Sequence, residues 1–199
     1  MHKNNFKMDA GKLNGIITNA YANAVDHGFF DDKLSNEHYL CLVVCELSEA
    51  VDAKRKRKRV RYEYLKDVVQ ILQPVEPTDE NVEQYYASMY KISVKDTLDD
   101  ELADAYIRLC SLAGHNKIAS KGNNGLHTYI VHADNTFTEN VMAITSVITD
   151  DTLQLKNKLF FCMEQIERLA ELENVDLPMI IQLKMQYNIG RDYKHGNAF

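Results

Sequence analysis

Two stretches decide how this chain folds: Cys45-Glu46-Leu47-Ser48-Glu49-Ala50 and, about fifty residues later, Asp100-Glu101-Leu102-Ala103-Asp104-Ala105. Each sets two carboxylates three residues apart inside a run that otherwise reads as a core helix. At 3.6 residues per turn, positions i and i+3 share a face, so each stretch offers a paired carboxylate. Around the first pair, Leu40, Val43, Val44, Leu47 and Val51 form an apolar stripe, with Glu46 and Glu49 to one side. Around the second, Leu98, Leu102, Ala105, Leu109 and Leu112 form the stripe, flanked by Glu101 and Asp104. Antiparallel packing of the two helices would bring the four acids to the edge of the buried seam. Unit charges about 5 Å apart repel by roughly 3 kcal/mol at an effective dielectric near 20. Four such groups call for protons or a bound cation, and all-oxygen ligation favours Mg²⁺ or Mn²⁺.

Spacing alone does not single these pairs out. Eight acid pairs lie at i, i+3 in the chain, and Glu164/Glu167 share the same apolar helical context. A solvated or structural helix face is the expectation for that pair.

The chain has 199 residues, enough for one domain with a substantial core. Hydrophobic residues make up 45% and charged residues 26%, the balance of a globular protein. With only 3 Pro and 8 Gly between long helix-period stretches, the expected class is all-α. A net charge of −6 argues against nucleic acid or an anionic membrane as the main partner. Cys41, Cys45, Cys110 and Cys162 fall in expected helices without a CxxC, which fits buried free thiols in a reducing compartment. No long apolar run and no signal peptide are visible, so a cytoplasmic location is expected.

Helices are expected over 9–26, from Ser35 or Asn36 through the first acid pair, over 60–72 and 79–91, and from Asp96 or Thr97 to near Gly114. Thr136-Phe137-Thr138-Glu139 has the form of a capping box. A long helix over 152–173 and a last one capped by Asp176 complete the set, while Leu126 to Val131 could form a short strand. Phe29 and Phe30 follow the first helix either as core plugs or as the floor of a pocket for a flat ligand. Lys54 to Arg59, with Arg61 beyond, form the main charge run. It reads either as a basic patch or as the solvated, dipole-complementing end of a helix.

Four ordered blocks resemble the MazG-like all-α nucleoside triphosphate pyrophosphatases. Glu46-Leu47-Ser48-Glu49 resembles that family's ExxE helix, and Lys95 to Ala105 its ExxD helix. His27-Gly28-Phe29-Phe30-Asp31 resembles an HGFWD-type block, with Phe30 where tryptophan is common. Lys184 to Gly196 resembles a KxxYNxxRxYKHG ending. The resemblance implies cleavage between the α- and β-phosphates of a nucleoside triphosphate, giving a monophosphate and pyrophosphate. It implies Mg²⁺ or Mn²⁺ held by Glu46, Glu49, Glu101 and Asp104, with Glu46 or Glu49 accepting a proton from water. Phe30, Lys54, Lys184, Asn188, Arg191 and Lys194 become the expected substrate contacts, and a homodimer or tetramer the expected assembly. Residues 60–93 and 114–173 read as insertions into a single MazG-like domain spanning 1–199.

Two metalloenzyme rivals lack their motifs. A di-iron carboxylate bundle needs Glu-x-x-His, and no Glu precedes a His by three residues. An HD-type phosphohydrolase needs His-Asp, and only the reverse, Asp26-His27, occurs. The non-enzymatic alternative is a helical interaction module that binds nucleic acid or an acidic partner through residues 54–61.

Overall fold

A computed structural model describes residues 9–65, 80–122 and 128–196. Helix α1 spans Ala10–Asp26; Asp9 caps it by accepting from the Lys12 N–H, and it stops at His27. Gly28 follows at φ 74°, the left-handed geometry a residue with a Cβ rarely adopts. Helix α2 spans Asn36–Arg55, capped by Ser35, and α3 spans Glu80–Ser93. Helix α4 spans Leu98–His115 and is capped by the Thr97 hydroxyl. Helix α5, Phe137–Thr149, starts with both halves of the capping box formed between Thr136 and Glu139. Helix α6 spans Leu155–Leu172. Helix α7, Leu177–Ile189, is capped by Asp176 with Pro in its first turn. A 3₁₀ turn at Tyr193–Gly196 ends the described chain.

No strand occurs among the described residues. Residues 128–131 are irregular, and the remainder of the possible strand lies outside the described set. Residues 62–65 are helical, while the rest of the expected 60–72 helix also lies outside it. No described helix is long and apolar enough to cross a membrane.

Helix α4 is the axis of the fold, packing against α1, α2, α6 and α7. Its stripe residues Leu98, Leu102, Ala105, Leu109 and Leu112 are at most 1% exposed. Each buried leucine contributes roughly 1.5–3 kcal/mol by removal from water. Helix α2 runs antiparallel to α4. Asn116, just after α4, donates to Asn36 at the start of α2 (2.9 Å), while the Leu98 N–H donates to the Lys58 carbonyl just past the end of α2 (3.1 Å). Helix α3 is tied to α7 by Tyr86, which donates to the Leu183 carbonyl at 2.7 Å, and by the Tyr90–Tyr187 ring stack. Helix α5 covers α6 and α2. Residues from α5 and α6 (Ile144, Leu159, Ile166) belong to the same continuous core as α4.

Helix α1 approaches α4 closely at one glycine. A Cβ on Gly114 would lie 2.4 Å from the Tyr21 Cβ and 3.2 Å from the Ile17 carbonyl oxygen. Both atoms are fixed by the α1 backbone, so no side-chain rotation relieves the clash. Helix propensity alone favours Ala over Gly by up to about 1 kcal/mol, whereas overpacking costs about 1–3 kcal/mol. Gly114→Ala should therefore lose stability in urea denaturation. An unchanged or raised midpoint would contradict the close α1–α4 crossing.

Candidate active site

The first two turns of α4 carry Asp99, Asp100, Glu101 and Asp104, and the first three of these are at most 5% exposed. Successive residues turn by about 100° around the helix, so neighbouring acids point to different partners. Asp99 faces the segment after α2. It accepts from Arg59 Nε (2.7 Å), the Tyr62 hydroxyl (2.6 Å) and the Val60 N–H (3.4 Å). Asp100 faces α3 and α7. It accepts from the Tyr90 hydroxyl (2.5 Å), Lys184 Nζ (2.9 Å) and the Asp96 N–H (3.0 Å). The positive end of the helix dipole favours all these charges.

Glu101 and Asp104 turn toward α2 and meet Glu46. One carboxylate oxygen from each of the three lies within 4.8 Å of the other two. Lys184 pairs with Asp104 at 2.6 Å as well as with Asp100, and Arg108 Nε donates to Glu46 at 2.6 Å. Glu101 has no hydrogen-bond or ion-pair partner among the described residues. Burial and then Asp104 push the Glu46 carboxyl up to about 7, despite Arg108. Burial, Asp100 and Asp104 push Glu101 up to about 9. Burial works against the Lys184 ammonium, but Asp104 and Asp100 outweigh it and hold its pKa above the ordinary value.

When all four are ionised, the carboxylates Glu46, Asp100, Glu101 and Asp104 face two cations, Lys184 and Arg108. The surplus of two negative charges is what one divalent cation would balance. An all-oxygen donor set with an unpartnered buried carboxylate fits Mg²⁺ or Mn²⁺. Glu46, Glu101 and Asp104 are the residues that would hold it.

The cluster lies between two clefts. The larger by total empty space, about 690 Å³ with open solvent included, is lined by Asp104, Arg108, Asn188 and Arg191 together with Phe29, Phe30 and Tyr39. Phe30 stacks on His115 with ring centroids 4.2 Å apart and meets Tyr39 at 4.9 Å. Asn188 is buried, and its Oδ1 has no hydrogen-bond partner among the described residues. The smaller cleft on the same measure, about 440 Å³, is lined by Glu49, Asp52, Ala53, Lys58, Asp96 and Glu101.

The chain's tail closes one rim of the larger cleft. The Lys194 N–H donates to the His27 carbonyl (2.8 Å), and the Tyr193 hydroxyl donates to Asp31 (2.8 Å). The Tyr193 ring lies where a Cβ on Gly28 would be, 2.0 Å from its nearest carbon, so a side chain there would displace the ring, while the positive φ of 74° itself favours glycine. His195 is thereby set edge-on against His27 and Phe29. Burial and then Arg191 push its imidazole down to about 3, so it stays neutral near pH 7.

The expected site residues divide into three groups. Glu46, Glu101 and Asp104 meet, whereas Glu49 is exposed and faces the smaller cleft. Phe30, Asn188 and Arg191 line the larger cleft. Lys184, expected on phosphate, is 4% exposed at its side chain and held between Asp100 and Asp104. Lys54 instead pairs with Glu173 and lies over the Phe137 ring, and Lys194 pairs with Asp32 at 2.5 Å. Within the basic run, Lys54, Lys56 and Arg59 are paired to acids, while Arg55, Arg57, Lys58 and Arg61 are exposed. Glu167 accepts from the Tyr106 hydroxyl at 2.7 Å, away from the cluster. Cys110 and Cys162 are buried as expected; Cys41 and Cys45 are exposed, because they lie on the face of α2 turned away from α4.

Arg108, Asp100 and Tyr90 are given no site role in the sequence analysis. Arg108 had a visible signal: it lies four residues after Asp104 and seven after Glu101, on their face of α4. The chain matches no protein-family model, no curated protein and no solved structure.

The raised carboxyl pKa values give a signed expectation for the metal-free protein. An unfolded Glu101 ionises near 4.5, while the folded state resists ionisation up to about 9. Its contribution therefore disfavours the folded state progressively as pH rises through that window. Glu101→Gln removes the effect. Its melting temperature should match the parent near pH 4.5 and exceed it increasingly toward pH 9, with Mg²⁺ shrinking the gap. Parallel melting curves across that range would contradict the strained carboxylate.

Proposed function

We propose that this chain is a Mg²⁺-dependent nucleotide pyrophosphohydrolase, cleaving (d)NTPs to (d)NMP and pyrophosphate. The observation that carries the reading is the contact between an under-neutralised carboxylate cluster and a cleft with an aromatic wall and two guanidinium groups. A nucleoside triphosphate has the matching parts: a flat base, and a polyanionic chain that approaches carboxylates only through a divalent cation. Mg²⁺ held by Glu46, Glu101 and Asp104 supplies that neutralisation of the phosphate charge.

The chain's own groups do the rest. Phe30 and Tyr39 offer the face on which a base stacks, and Asn188, whose buried oxygen is unpaired among the described residues, offers an acceptor to base or sugar. Arg191 offers a planar donor set for phosphate oxygens. Lys184 holds Asp104 in place from behind and does not itself reach the cleft. Glu49 stands outside the tight cluster, with no ion-pair partner among the described residues. It is the carboxylate left to accept a proton from attacking water. Water oxygen bonds to the α-phosphorus, the α–β bridging bond breaks, and pyrophosphate leaves with that bond's electron pair.

A panel of common and damaged (d)NTPs with Mg²⁺ tests this, with products resolved as pyrophosphate or orthophosphate. Pyrophosphate and a monophosphate are expected. Glu46→Ala, Glu101→Ala and Asp104→Ala should each reduce turnover by about a hundredfold or more, whereas Glu164→Ala should stay within about twofold. Orthophosphate as product, or a folded Glu164→Ala as inactive as Glu101→Ala, would contradict the assignment. Salt-sensitive nucleic-acid binding without Mg²⁺-dependent turnover would favour the interaction module instead.

A further inference from the structure

The two cations at the carboxylate cluster are built differently. Lys184 is 4% exposed at its side chain and lies between two acids of its own cluster, so it is fixed. Arg108 is 34% exposed and touches the cluster through one nitrogen, Nε, on Glu46 at 2.6 Å. Its two terminal nitrogens have no partner among the described residues, and the side chain lines the larger cleft beside Arg191 and Asn188. Glu46, in turn, is claimed from two sides. It lies within 4.8 Å of Glu101 and Asp104 on one and is paired to Arg108 on the other.

We propose that Arg108 is an exchangeable counterion: without substrate it holds Glu46 against a divalent cation, and with substrate it turns its free guanidinium edge to the nucleotide's phosphates. The inference rests on the pyrophosphohydrolase reading and adds a residue and a binding order to it. A cation entering alone must compete with Arg108 for Glu46. A cation arriving with a triphosphate does not, because the phosphates give the guanidinium a second anion of suitable geometry. Metal and nucleotide then favour each other's binding, and by linkage the coupling is reciprocal. The site stays weakly charged with metal until nucleotide is present.

This arrangement predicts two effects of opposite sign in one variant. Arg108→Gln should tighten divalent-cation binding to the nucleotide-free protein, because a positive competitor is gone. It should also weaken phosphate binding, because a donor is gone. An arginine that only supports the fold would loosen both. Arg108→Lys keeps the charge and the fold but lacks the planar fork.

The probes are Mn²⁺, followed by paramagnetic resonance of the free ion at about pH 8.5 to limit proton competition for Glu46, and inorganic triphosphate, titrated calorimetrically at saturating Mg²⁺. For Arg108→Gln, the Mn²⁺ Kd should fall about threefold or more, and the triphosphate Kd should rise about tenfold or more. For Arg108→Lys, Mn²⁺ affinity should stay near the parent's, with triphosphate binding still weakened. Thermal melts identify any variant that fails to fold, in which case Arg108→Lys alone decides. Mn²⁺ and triphosphate affinities that fall together in Arg108→Gln, or an unchanged triphosphate Kd in either folded variant, would overturn the exchange. A parent protein that binds no Mn²⁺ and turns over no nucleotide would instead overturn the underlying reading.

Discussion

The structure depends on how α4 buries acids at its start. Asp99, Asp100 and Glu101 are consecutive and nearly inaccessible, and Asp104 follows one turn later. Taking a carboxylate out of water costs several kcal/mol unless it is paired and hydrogen-bonded. Helical rotation makes the arrangement possible by sending each acid to a separate partner set. Asp99 meets Arg59 and Tyr62, Asp100 meets Tyr90 and Lys184, and Asp104 shares Lys184. The Glu101 carboxylate has no partner among the described residues, and it lies beside Glu46 and Asp104.

Much of the surrounding architecture follows from that requirement. The segment after α2 returns to α4 so that Arg59 and the Val60 N–H can reach Asp99. Tyr62 extends the same link by accepting from the Asp176 N–H at the start of α7. Helix α3 brings Tyr90 and α7 brings Lys184 to one buried carboxylate, and the Tyr90–Tyr187 stack holds those helices in register. The polar interior that joins four segments is therefore also the wall behind the candidate cation site. Removing Lys184 would strand two acids at once, so stability and site geometry are bound to the same ammonium.

Helix positions were largely legible in the sequence because caps and apolar periodicity are local. Thr97, Thr136 and Asp176 cap the helices they start, and the stripe from Leu98 to Leu112 is buried throughout. The i, i+3 rule brought Glu101 and Asp104 together but divided Glu46 from Glu49. Three residues turn a helix by about 300°, leaving the pair about 60° apart. At the edge of a seam that offset separates a buried acid from an exposed one. Lys184, Asn188 and Arg191 share a helical spacing, yet only the fold shows that the first lies beneath the acids and the others face the cleft. The role of Asp100 was not legible locally, because its partners come from residues 10 positions before and 84 positions after it.

The central claim is that Glu46, Glu101 and Asp104 form a divalent-cation site. Anomalous diffraction from crystals grown with Mn²⁺ and inorganic triphosphate tests it most directly, because it locates the ion rather than an effect of the ion. The account predicts a manganese peak bounded by those three carboxylates, beside the larger cleft. Well-ordered carboxylates with no peak between them, or a peak only at other acids such as Glu164 or Glu173, would contradict it.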